Sequence, residues 1–132
     1  MATTIAQLTL TSSDLLSDTL ELTTLASIVA PHTGGLSRSA VTSTAIGTTS
    51  GQVTVDTANT FASPNFIYVK NTADFHVSNN VVYGYFNGQG GHSLQLHGGQ
   101  FAYIPASGDF TLKFYTSTSG TVIEHMVIGT NA

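Results

Sequence analysis

Five histidines, seven carboxylates and no cysteine are the residues through which this 132-residue chain could do chemistry. His92 and His97 flank an expected strand over residues 93–97. On a regular strand that odd spacing sends them to opposite faces, so they do not hold one metal together. His76 and His125 have no acidic or histidine partner two residues on. The histidines read as ordinary surface or half-buried residues, able to titrate near pH 6–7 and so change the charge of an interface. The carboxylates are Asp14, Asp18, Glu21, Asp56, Asp74, Asp109 and Glu124. A glycosidase needs two of them facing each other at about 5–9.5 Å. Asp14 and Asp18 are neighbours only if their stretch is helical, and Asp109 sits in a Ser-Gly-Asp turn, where it caps backbone N–H groups. No calcium-loop spacing occurs.

Nucleophile and phosphate motifs fail in the same way. The run GTTSG at 47–51 is one residue off the nucleophile elbow and lacks its strand-to-helix setting. The run GQGGHS at 88–93 begins like a dinucleotide fingerprint but ends in Ser and leads into a strand. The expectation is therefore no enzyme, no catalytic residue, no cofactor and no metal. Tyr68, Tyr83, Tyr85, Tyr103 and Tyr115 offer apolar faces with polar tips. They suit core packing or a subunit contact, and alternatively a sugar platform.

These side chains are positioned by a chain of unusual composition. Charged residues are 8%, the apolar fraction is 41% and the net charge is −4. Disorder needs low hydrophobicity with high charge, which this is not. Three Lys and Arg residues provide no basic face for nucleic acid. No apolar run approaches the roughly 18 residues of a spanning helix, so no membrane partner is expected. The N-terminus shows no cationic stretch leading into an apolar one, hence no readable signal peptide. Thr (21) and Ser (14) make up about a quarter of the chain. A hydroxyl-rich, nearly uncharged surface is unusual for a free monomer. It is easier to understand if other protein covers it, since desolvating a partnered hydroxyl costs far less than desolvating a charge.

All twelve Phe and Tyr residues lie between Phe61 and Tyr115. The length and this asymmetry suggest one β-sandwich domain over 1–132, with an N-terminal arm and peripheral strands over 1–60 and aromatic core strands over 61–132. In the second half, period-2 strands are expected at 66–70, 75–78, 81–86, 93–97, 100–104, 110–115 and 121–128. Turns are expected at 87–91 (with its Asn-Gly hairpin signal), 98–99, 105–109 and 117–120. In the first half, 6–11, 19–24, 40–45 and 52–56 read as strands, with loops at 30–39 and 48–51. A helix over 14–29 is the rival reading. The Thr and Ser residues of 17–24 count against it, and one helical turn is allowed near 13–17. Turn signals every 8–12 residues give an all-β fold, an antiparallel sandwich of jelly-roll-like type.

Several stretches resemble small virion structural proteins of tailed bacteriophages. NFIYVKNT at 65–72 is similar to a strand followed by Lys-Asn-Thr/Ser in that group. LQLHGGQFAYIP at 94–105 resembles its strand–turn–strand ending in Pro, and VIEHMVIG at 122–129 its terminal strand. SDLLS at 13–17 and GLSR at 35–38 look like its N-terminal elements. The resemblance implies a virion location and a capsid decoration or cement subunit that stabilises the head by repeated protein contacts. Its partners would be other copies of itself, with a trimer the expected form by analogy, and the major capsid protein or neighbouring virion proteins. The alternative is a tail- or fibre-associated structural or host-glycan-binding module, with Tyr83, Tyr85 or His92 in a shallow groove. Arms and loops carry such contacts. The candidate interface residues are Thr3, Ile5, Leu8, Leu10, Pro31, His32, Leu36, Arg38, Asn87 and Gln89.

Overall fold

The computed structural model describes residues 3–14, 17–29, 31–33, 35–47, 50–56, 62–74, 80–86, 90–106 and 111–130. Among them there is no helix. The chain divides into two compact units, Met1–Pro31 and His32–Ala132. The division thus falls well before residue 60, and the aromatic-free half contributes strands to both units.

The first unit is a hairpin. Strand β1 (Thr3–Ser12) pairs antiparallel with β2 (Leu20–Val29) in an unbroken register from Thr3 opposite Val29 to Ser12 opposite Leu20. The rival helix over 14–29 does not form over 20–29, which is strand. Thr23 and Thr24 lose side-chain freedom in a helix and suit a pleated ladder. At the bend after β1, the Asp14 N–H and carboxylate both meet the Ser12 hydroxyl, at 3.4 and 3.0 Å. Leu15 and Leu16, within the expected helical turn, lie outside the described residues.

The second unit has two facing antiparallel sheets. One is ordered β5 (Val53–Asp56), β10 (Thr111–Thr116), β7 (Val82–Phe86), β8 (Leu94–Leu96). The other is ordered β3 (Pro31–Thr33), β11 (Thr121–Thr130), β6 (Ala62–Asn71), β9 (Phe101–Ala106), with β4 (Ser37–Val41) also paired to β11. Core side chains come from both sheets: Val41, Val55, Ile67, Val69, Val82, Leu96, Leu112, Phe114 and Ile123 form one cluster. The all-β, antiparallel expectation therefore holds, and β10 points Leu112 and Phe114 inward.

Four expectations need correction. Residues 30–39 are not simply a loop, since β3 and the start of β4 lie there. Ser37, Arg38 and Ser39 have little intrinsic strand pattern, but β11 supplies partners from His125 to Ile123. The strand expected over 40–45 ends at Val41. The turn expected from 105 begins later, because β9 runs through Pro105, paired with Phe66. It is an edge strand, where a missing N–H is tolerated. Finally, the aromatic residues build little of the core. Among the described ones Phe114 belongs to the cluster, Phe86 packs partly against it, and Tyr85 is buried outside it. The pleat instead places Phe66, Tyr68, Phe101 and Tyr103 on the outer side of one sheet, opposite in parity to Ile67 and Val69. It places Tyr83, Tyr85 and Tyr115 on the outer side of the other.

Of the run at 47–51, Gly47, Ser50 and Gly51 are described, and Gly51 lies two residues before β5. Gly51 takes a positive φ of 81° and its carbonyl accepts from the N–H groups of Thr42 (2.9 Å) and Ser43 (3.0 Å). A Cβ there would run into Thr42 Oγ1. The segment leads into a strand, so it is no nucleophile elbow. The strands or turns expected at 75–78, 87–89 and 107–110 lie outside the described residues, and with them His76, Asn87, Gln89 and Asp109.

Candidate interaction surfaces

In the hairpin, alternation and register together set the two faces. Leu8, Leu10 and Leu22 share one face, where Leu10 is directly opposite Leu22. They remain 41%, 44% and 46% exposed. Ile5 and Leu25, on the other face, are 64% and 63% exposed. Large apolar side chains left in water across a two-stranded ribbon are not a self-sufficient arrangement, since isolated hairpins are marginal at best. Thr3, Ile5, Leu8 and Leu10 of the expected interface thus lie on one exposed strand. Leu22 and Leu25 were missed. The signal was present in sequence as alternating leucines, but only the pairing shows that they continue the faces of β1.

On the outer side of the sheet containing β10 and β7, four rings gather. Tyr83 and Tyr115 are cross-strand partners, stacked with centroids 5.1 Å apart. The His92 ring lies 4.6 Å from Tyr83, and its Nδ1 is 3.0 Å from the Tyr115 hydroxyl. Tyr85 packs against Tyr115 at 6.0 Å and donates to Gln52 Oε1 at 2.7 Å. Burial raises the Tyr115 phenol above its usual range, reinforced by Tyr83 and Tyr85. His97 contacts Gln95, which stands opposite Tyr83, at 3.1 Å. Both His92 and His97 therefore reach the outer side, contrary to the strict alternation expected. The strand is only Leu94–Leu96, so alternation does not extend back to His92. No group of three potential metal ligands occurs among the described residues.

On the outer side of the other sheet, the register aligns Arg38, Glu124, Lys70 and Phe101 in one row across four strands. Arg38 donates from Nε (3.1 Å) and Nη2 (3.0 Å) to Glu124 Oε2, and the Tyr68 hydroxyl donates to Oε1 at 2.9 Å. These bonds, the Tyr68 one foremost, hold the Glu124 carboxyl below the usual carboxylate range. The Tyr68 phenol is correspondingly raised, first by burial and then by Glu124. Arg38 is 70% exposed while Glu124 is 15% exposed. Lys70 forms no ion pair with a described carboxylate. Arg38, Lys70, Thr72, Asp74 and Glu124 line a cleft of about 410 Å³. Its floor is rigid, because the buried Asn71 amide donates to Asn80 O (2.7 Å) and Leu96 O (2.9 Å).

Of the remaining expected interface residues, Leu36 is 57% exposed just before β4. Pro31 and His32 belong to β3, and Asn87 and Gln89 lie outside the described residues. Phe101, 58% exposed, was missed; its sequence context gives no hint that its side chain faces out.

No protein-family model matches the sequence, and neither a curated protein nor a solved structure matches it.

Proposed function

We propose that this chain is a structural subunit of a tailed-bacteriophage virion, most simply a capsid decoration or cement protein. The observation that carries the reading is the hairpin, where Ile5, Leu8, Leu10, Leu22 and Leu25 stay between 41% and 64% exposed. Such a ribbon needs another protein against it. The outward placement of the half-buried Tyr68, Tyr83, Tyr103 and Tyr115 points the same way, because Tyr combines large contact area with a polar tip that tolerates a wet rim.

Strand order supports the virion part of the proposal. Counting from β4, the eight main strands of the second unit form sheets in the order 1-8-3-6 and 2-7-4-5. We read this order as the wrapping of a jelly roll. Jelly rolls recur in viral capsid proteins and also in lectins and cupins. The mechanism is mechanical. Each contact, of roughly 1,600 Å², joins neighbouring shell subunits, and repetition over the shell supplies strength by avidity. Partners are further copies of the chain, as a trimer by analogy, and the underlying capsid protein.

A second reading is favoured by the Tyr83, Tyr115 and His92 cluster: a glycan-binding module of the tail or fibre, stacking sugar on the rings. Copy number separates the two. Quantitative mass spectrometry of purified particles should find hundreds of copies for a shell protein and six or twelve for a tail component. A particle lacking the chain altogether overturns both.

A further inference from the structure

We infer that the chain assembles head to tail, the acidic tip of one copy's hairpin seating in the Arg38–Lys70 cleft of a second copy. This rests on the assembly reading above and specifies which surfaces meet.

The charges of the chain are few and unevenly distributed. The hairpin unit holds three of the seven carboxylates, Asp14, Asp18 and Glu21, and none of the three cations. Those carboxylates all sit at or next to the turn between β1 and β2, and all three are exposed. Two of the three cations, Arg38 and Lys70, line one cleft in the second unit. The third cation, Lys113, lies on β10 of the other sheet.

The cleft is prepared to receive a carboxylate. Glu124 takes up the Nε and Nη2 of Arg38 and so fixes the guanidinium while leaving Nη1 free of that bond. A held, exposed guanidinium loses little freedom when a second carboxylate approaches. Lys70 adds a point charge in the same row. The apolar parts also correspond. Phe101, 58% exposed, is the strand neighbour of Lys70. In the hairpin, Glu21 shares its face with the exposed Leu25, while Leu10 and Leu22 lie on the opposite face. Each surface thus carries charge and an exposed apolar side chain on one face. Such an interface joins two different surfaces of the chain. Asp74 also lines the cleft and opposes the incoming carboxylates.

The test is sedimentation velocity on the full chain at low and moderate salt. Lys70→Glu should weaken self-association about tenfold or more, and so should reversal of the tip by Asp14→Lys, Asp18→Lys and Glu21→Lys together. Asp74→Asn should strengthen it. The decisive arm mixes two variants, one with the reversed tip and one carrying Arg38→Glu and Lys70→Glu. Neither assembles alone, and together they pair in alternation, which also shows both to be folded. Self-association left unchanged by Lys70→Glu, or a mixture that fails to associate, overturns the tip-in-cleft contact while the assembly reading stands. A wild-type chain that stays monomeric and binds no shell overturns both.

Discussion

Asn71 is 0% exposed, yet all of its side-chain hydrogen-bonding groups are used. Its amide donates to the carbonyls of Asn80 and Leu96, and its Oδ1 accepts the Ala73 N–H at 3.0 Å. Its backbone carbonyl accepts from Gly99 at 3.0 Å. One residue therefore ties the end of β6 to the entry of β7 and to β8. Replacement by Ala leaves three polar groups without that partner, each costing about 1–3 kcal/mol when buried. Asn71→Ala should lower unfolding stability by about 3 kcal/mol or more in urea denaturation. A loss below 1 kcal/mol would mean that water replaces the amide. In the sequence, Asn71 reads only as a strand terminator. Its partners are 9 and 25 residues away, and no local pattern announces them. The same limit hid the Tyr68–Glu124 bond, which spans 56 residues. What could be read at this scale was residue chemistry in isolation.

At the scale of elements, pattern was a good guide where strands alternate and a poor one where pairing decides. The period of Leu112, Lys113 and Phe114 is visible in sequence, and β10 obeys it with Leu112 and Phe114 fully buried. β4 was obscure because its partner, not its composition, makes it a strand. The aromatic residues misled for a related reason. A ring reads as core material by size, but the pleat assigns faces by parity: Ile67 and Val69 hold inward positions of β6, and in β10 Phe114 points inward beside Leu112 while Tyr115 does not. This separation is measurable. Phe114→Ala should cost about 3–5 kcal/mol, as truncation of a buried ring does. Phe101→Ala should leave the stability of the isolated chain within about 0.5 kcal/mol. If the two variants lose comparable stability by chemical denaturation, then Phe101 is buried in solution and the outer face is not open. The leucines of β1 and β2 belong to the same logic: their alternation was legible, their exposure was not.

For the whole molecule, the same scarcity of charge that invites partners makes pH dependence simple to trace. His125 lies half-buried on β11, its Nε2 3.0 Å from Ser39 Oγ, and burial pushes its pKa below the usual 6.5. Its strand neighbour Glu124 points to the opposite face and is engaged with Tyr68 and Arg38. The folded state thus disfavours the imidazolium, while the unfolded chain accepts the proton near its ordinary pKa. The unfolded state binds more protons, so stability falls as pH drops below about 6.5 and levels off only beneath the folded pKa. Glu124 acts in the same direction further down the scale. Its folded pKa is depressed from 4.5, so its contribution is present above that value and is lost as pH falls through the folded one. Thermal unfolding followed from pH 8 to pH 3 should therefore show two successive declines. His125→Gln should flatten the first and leave the second, whereas Glu124→Gln should do the reverse. A first decline that survives His125→Gln would place the responsible proton on another histidine. Because Arg38 of the proposed cleft is held by Glu124, assembly should weaken over the second window as well as stability, and the two losses should coincide in pH.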